Sequence, residues 1–135
     1  MEVAAATVIT SLLLIPSLSL LDQSRRLSQR HQTREQLVYE AQRLIDARKA
    51  ELINPGTFQS DYRRPTGRLS EAALAGSGIS DGRYQVETIA DGNYRGTGAE
   101  ILKIRVSTWQ DLDRDRTLDP DEPSATLVTK LSRPR

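Results

Sequence analysis

The sequence contains no cysteine, which excludes a disulfide framework, a thiol nucleophile and a thiolate zinc site. Histidine is nearly absent as well: His31 stands alone, and no Ser-His-Asp set assembles around it. There is no glycine-rich loop of the kind that cradles phosphate. Aromatic residues make up 4% of the chain, which leaves few platforms for stacking bases. Neither sign of charge dominates, with 19 Lys+Arg against 18 Asp+Glu, so the basic excess of a nucleic-acid-binding domain is missing. Together these absences argue against an enzyme, a nucleic-acid partner and a small-molecule substrate. Trp109 and Tyr84 read most simply as core or edge residues of a sheet.

Charge is also absent locally. Residues 3–21, VAAATVITSLLLIPSLSLL, carry none. At 1.5 Å per residue such a helix is roughly 28 Å long, close to the hydrocarbon thickness of a bilayer. A domain of this size can hardly bury a helix that is apolar on every side. A cleaved signal peptide would need a basic start, whereas Glu2 is acidic. An ordinary anchor would place Arg25, Arg26 and Arg30 on the cytoplasmic side by the positive-inside rule. Pro16 removes a backbone hydrogen bond within the segment, which predicts a kink or local melting there.

The helical signal continues beyond this run. Residues 22–53 contain neither glycine nor proline and are rich in strong helix formers. Leu37, Val38, Ala41, Leu44, Ile45 and Leu52 form one apolar stripe, opposite Arg34, Glu35, Gln42, Arg43, Asp46 and Lys49. Arg48 interrupts the stripe, and its stem is expected to lie along the packed face while its charge reaches water. Asn54-Pro55-Gly56 ends the helix. One helix over about residues 3–53 would be roughly 75 Å long.

The opening Glu2-Val3-Ala4-Ala5-Ala6-Thr7-Val8-Ile9, with the apolar run and the amphipathic continuation, resembles the N-terminus of type IV pilins and type II secretion pseudopilins. In that family a glutamate near the mature N-terminus sits in an otherwise apolar helix. It pairs there with the terminal amine of a neighbouring subunit during assembly, and Glu2 is the matching position. The physical case runs in parallel: a carboxylate at the edge of a hydrocarbon segment is costly unless paired, and a helix N-terminus favours it. Pre-pilins carry a basic leader and a Gly-x-Thr-Leu stretch before this glutamate. Neither precedes Glu2, so Met1 is expected to be an internal codon, and the N-terminal methylation motif lacks its processing site here. The resemblance implies neighbouring pilin-like subunits as partners. It also implies a single pass through a bacterial inner membrane, with the C-terminal domain in the periplasm or an extracellular filament.

The remaining chain divides into a connector, 54–82, and a β domain, 83–135. Within the connector, Ser70-Glu71-Ala72-Ala73-Leu74-Ala75 is predicted as a short helix capped by Ser70. Three strands follow, at 83–89, 100–109 and 124–131, each with alternate apolar positions. Asp91-Gly92-Asn93 supplies turn chemistry after the first. Laid beneath the stripe of residues 37–53, about three antiparallel strands make an α+β fold. The last two strands resemble the terminal hairpin of minor pseudopilins.

Between those strands lies an acidic loop, 111–122, with six carboxylates in twelve residues. Set against a calcium loop of the EF-hand type, Asp111, Asp113, Asp115, Asp119 and Glu122 occupy positions one, three, five, nine and twelve. Thr117 falls at seven, where a backbone carbonyl serves. Alternating hard oxygens suit calcium, which takes six to eight of them at about 2.3–2.6 Å. Arg116 stands where such loops have a turn-making glycine, and the flanks are strands rather than helices. A solvated turn partly offset by Arg114 and Arg116 is the other reading. Three readings of function follow: a pilin-like subunit whose C-terminal loop holds calcium, a monomeric anchored or secreted calcium-binding module, or a periplasmic adaptor with a plain anchor and no need of calcium.

Overall fold

A computed structural model describes residues 16–134, together with the backbone of the first helix back to Glu2. That helix, α1, spans Glu2–Leu52. The chain divides into two compact units, residues 1–33 and 34–135. The first is helical throughout its described part. Pro16 lies inside the helix, and Ser19 Oγ donates to the Pro16 carbonyl at 2.8 Å. Glu2 and most of the uncharged stretch 3–21 fall outside the residues whose side chains are described. Among the described residues, no helix is long and apolar enough to cross a membrane.

The second unit sets the last turns of α1 on a four-stranded antiparallel sheet in the order β1-β2-β3-β4. The strands are β1 (Arg68–Ala73), β2 (Gly82–Ala90), β3 (Ile101–Gln110) and β4 (Ser124–Ser132). The α+β architecture is as the apolar periodicity predicts, with one strand more than the three expected. Register is continuous, with Val86 opposite Val106 and Val106 opposite Leu127. Strand alternation therefore stacks one apolar row from each of β2, β3 and β4 on the same face. Ala41, Ile45 and Leu52 of α1 meet Val86, Leu102, Ile104 and Val106 in one core cluster. Each of the larger of these side chains, the Val, Leu and Ile, contributes roughly 1.5–3 kcal/mol when taken fully out of water. Leu37 joins Leu74, Ile79 and Ala125 in a second cluster. Thr108 Oγ1, fully buried, donates to the Leu37 carbonyl at 2.9 Å and so ties β3 to the helix backbone. Val38, counted in the stripe, is 41% exposed and lies at its margin.

Two elements, a second helix and a strand, occupy the expected connector. Asn54 does end α1, but it also caps a second helix, α2 (Pro55–Tyr62), accepting the Gly56 amide at 2.9 Å. Proline at the first helical position needs no donor there, so Asn-Pro starts a helix as readily as it stops one. Phe58 of α2 is fully buried in the first cluster. The predicted helix at 70–75 is a strand instead. Residues 68–73 pair with β2 from Arg68 opposite Thr88 to Ala73 opposite Arg83. The open edge of β2 supplies ladder partners that outweigh the weak helical preference of Ser-Glu-Ala-Ala. Gly67 enters the strand at φ +69°, where a Cβ would stand 2.7 Å from the Thr88 carbonyl oxygen. Only glycine fits that approach.

Arg48 also departs from expectation. Its charge does not reach water: the residue is 7% exposed, and its guanidinium is ion-paired to Asp61 and Glu51. Its Nε donates to Thr88 Oγ1 at 3.1 Å. Asp61, on α2, is 2% exposed. A carboxylate this deep requires a paired cation, and α2 delivers it to one.

Candidate metal centre

The acidic loop begins where β3 ends. Gln110 and Pro123 close its base, the Gln110 amide donating to the Pro123 carbonyl at 3.0 Å. Asp111 is 3% exposed. Its Oδ2 accepts the Arg116 amide at 3.1 Å, while its Oδ1 has no hydrogen-bond partner among the described residues. A buried carboxylate oxygen without a donor is costly, and a coordinated cation is one way to satisfy it.

The chain then coils on itself. Asp113 Oδ1 accepts the Asp115 amide at 3.2 Å, and Asp115 Oδ1 accepts the Thr117 amide at 2.7 Å. Arg114 and Arg116 adopt left-handed backbone, with φ of 64° and 69°. The glycine-like turn at the sixth loop position is thus present although the residue is arginine. The coil brings one carboxylate oxygen each from Asp111, Asp113 and Asp115 within 4.8 Å of one another. Asp111 is buried, and the other two face solvent.

Asp119, Glu122 and Thr117 complete the residues expected from the sequence, and they stand differently. Glu122 is 9% exposed and anchored, with Oε1 taking the Leu112 amide at 2.6 Å and Oε2 the Asp119 amide at 3.3 Å. The Thr117 hydroxyl donates to Asp115 at 2.6–2.7 Å. None of the three belongs to the 4.8 Å group. Asp119 and Glu122 are nonetheless close enough to act on it. At Asp113, the Asp115 amide lowers the carboxyl's pKa, but burial and the charges of Asp115, Asp119 and Glu122 prevail and raise it. At Asp115, bonds from the Thr117 hydroxyl and amide hold the pKa below the ordinary value. The donor set is hard, oxygen-only and anionic, with one deep orphaned oxygen. That suits calcium better than a soft or redox metal.

Sequence reasoning missed Asp81. The backbone at Asp81 is left-handed, φ 52°, and its carbonyl accepts the Asp111 amide at 3.0 Å. Its carboxylate pairs with Arg114 at 3.3 Å. Asp81-Gly82 is legible as a turn, but its place beside residue 111 follows from the β2–β3 register, which no local signal carries. A cleft of about 240 Å³ separates the two segments, lined by Asp81, Arg83, Asp111, Arg114 and Arg116 among others. A second cleft, of about 130 Å³, opens between α1 and the β1–β2 pair near Leu44, Tyr84 and Arg48. The Arg48 guanidinium there is already engaged by Glu51, Asp61 and Thr88.

Compared with protein-family models, with curated proteins and with solved structures, the chain has no match.

Proposed function

We propose that the chain is a pilin-like structural subunit, a pseudopilin or minor pilin, of a type II secretion or type IV pilus-type assembly in a bacterial envelope. The observation that carries this reading is the helix Glu2–Leu52, which opens with an uncharged segment and ends on a small antiparallel sheet. Leu18, Leu20 and Leu21 are each more than half exposed, as suits a helix that finds its apolar surroundings outside its own chain. In this reading residues 3–21 are held in the inner membrane and pack against neighbouring subunits. The small Ala4, Ala5 and Ala6 allow close approach. Glu2 takes the neighbour's terminal amine. The C-terminal domain faces the periplasm or the filament surface. Calcium is held by Asp111, Asp113 and Asp115, with Asp119, Glu122 and the Thr117 carbonyl as further oxygen donors. Its charge relieves the repulsion among the carboxylates and rigidifies the β3–β4 connection.

Glu2→Ala is expected to leave membrane insertion intact and to abolish assembly. Disulfide crosslinking through single cysteines placed along residues 4–20 reads assembly directly. A regular ladder in the wild-type background that fades with Glu2→Ala supports the subunit reading, and a ladder unaffected by the substitution removes the role assigned to Glu2.

One observation favours a second reading, a monomeric anchored or secreted calcium-binding module. The sheet, α2 and the acidic loop all lie within the compact unit 34–135, which holds every candidate metal donor. In that case no crosslinked ladder forms at any position.

A further inference from the structure

The acidic loop is joined to one other segment, residues 74–81, which link β1 to β2. Two tethers connect them, and Gln110 at the end of β3 adds a third beside the loop. The Asp111 amide donates to the Asp81 carbonyl at 3.0 Å. The Arg114 guanidinium reaches the Asp81 carboxylate, from Nη2 at 3.3 Å and Nε at 3.4 Å. Gln110 Nε2 donates to the Ser80 carbonyl and hydroxyl at 3.2 and 3.0 Å. Beyond these the segment holds itself by a few bonds. Gly82 bonds to Leu74 and Ile79 through backbone, and the Ser77 hydroxyl bridges Leu74 and Ile79. Leu74 and Ile79 then carry it to Leu37 of α1.

Two of the tethers start from the coil that would hold the cation. Asp111 contributes its carboxylate to the trio and its amide to Asp81. Arg114 lies between Asp113 and Asp115, so its backbone is set by the coil that gathers those carboxylates, while its side chain reaches outward to Asp81. We infer that cation binding in the loop also orders residues 74–81, so that the two connections at this end of the sheet form one calcium-responsive surface. The inference rests on the calcium reading proposed above. Without a cation the carboxylates repel, the coil opens, and the Asp111 and Arg114 tethers loosen with it. With the carboxylates neutralised, the coil closes and both tethers hold.

Amide hydrogen exchange of the full chain, with and without calcium, tests this. Segments that open together share one linkage factor, so calcium at ten times its Kd slows exchange in both 111–122 and 74–81 by about tenfold. Arg114→Asn removes the guanidinium but tolerates the left-handed backbone. In that variant slowing persists in 111–122 and is reduced in 74–81 to the share carried by the Asp111 amide. Asp81→Asn, which keeps the side chain's shape and removes its charge, gives the same split. Slowing confined to 111–122 in the wild type overturns the coupling and leaves the calcium site standing. No slowing in either segment overturns the calcium reading, and the coupling with it.

Discussion

Arg48 and Asp61 put two full charges between a helix and a sheet, where an unpaired one would not be tolerated. Their pairing is directional: Nη2 goes to Asp61, Nη1 to Glu51, and Nε to Thr88, so the guanidinium is engaged on three sides. Asp61→Ala leaves that cation buried with only the exposed Glu51 as counter-charge, and unfolding stability should fall by up to about 3 kcal/mol in denaturant titrations. Replacing Arg48 and Asp61 together by apolar residues of similar volume should cost far less, since what is expensive is the stranded partner. A second pair sets a pH dependence. The hydrogen bond from Lys130, with the Asn93 amide and the charges of Lys130 and Lys103, lowers the Asp91 pKa against an opposing burial cost. The bond to Asp91, with that residue's charge and Tyr94, raises the Lys130 pKa. A depressed aspartate stabilises the fold above its ordinary value of about 3.9 and loses that contribution as pH falls through its lower folded value. A raised lysine contributes below about 10.4 and loses it as pH climbs through its higher folded value. The pair is thus fully effective across neutral pH. The stability gap between wild type and Asp91→Asn, measured as denaturant midpoint against pH, should be flat there and close only in strong acid or strong base. At this scale the sequence showed Arg48 as an interruption but not its solution, because Asp61 reaches it only through the unexpected helix.

That helix, α2, depends on its first residues. Asn54 Oδ1 satisfies one of the amides that a helix start leaves free, and Pro55 lacks one to satisfy. Asn54→Ala should cost about 1 kcal/mol, and Asn54→Gly only a few tenths, read again as denaturant midpoints. A loss well above this for alanine would mean that the cap also positions Asp61. The Asn-Pro start is open to inspection in the sequence, since an N-cap followed by proline is a recognised opening, but the same residues also serve to stop the preceding helix. The edge strand β1 was less accessible. Arg68, Leu69, Ser70 and Glu71 are all exposed, so no burial imposed alternation on them, and their composition leans toward helix. Its identity comes from the partner strand. By contrast β2, β3 and β4 carry apolar residues at alternate positions on the face toward α1, and the limits expected from that alternation lie within two residues of the observed ones. Within the acidic loop, the spacing of Asp111, Asp113 and Asp115 was legible because a tight coil turns alternate residues inward. Anchoring of Glu122 by the Leu112 and Asp119 amides was not, since it depends on how the loop closes.

For the whole molecule, the division at residue 33 predicts independent behaviour. Residues 34–135 alone should fold cooperatively, and calcium should raise the thermal midpoint of this fragment as much as that of the full chain. At one hundred times its Kd, calcium adds about 2.7 kcal/mol, or roughly 10–20 °C for a domain of this size. Asp113→Ala should remove most of that rise, and an unchanged midpoint at millimolar calcium in the wild type would reject the site. The overall plan was legible because two periodicities, one helical and one alternating, each bury a single face. The bond from Thr108 to the Leu37 carbonyl has a mechanical consequence. For α1 to slip along the sheet by one turn, about 5.4 Å, this hydroxyl would have to give up the Leu37 carbonyl and keep only its longer contact, 3.4 Å, to the Ala125 carbonyl, in a place that water does not reach. The contact therefore resists sliding of the two layers, because a load along these turns of the helix is shared with β3.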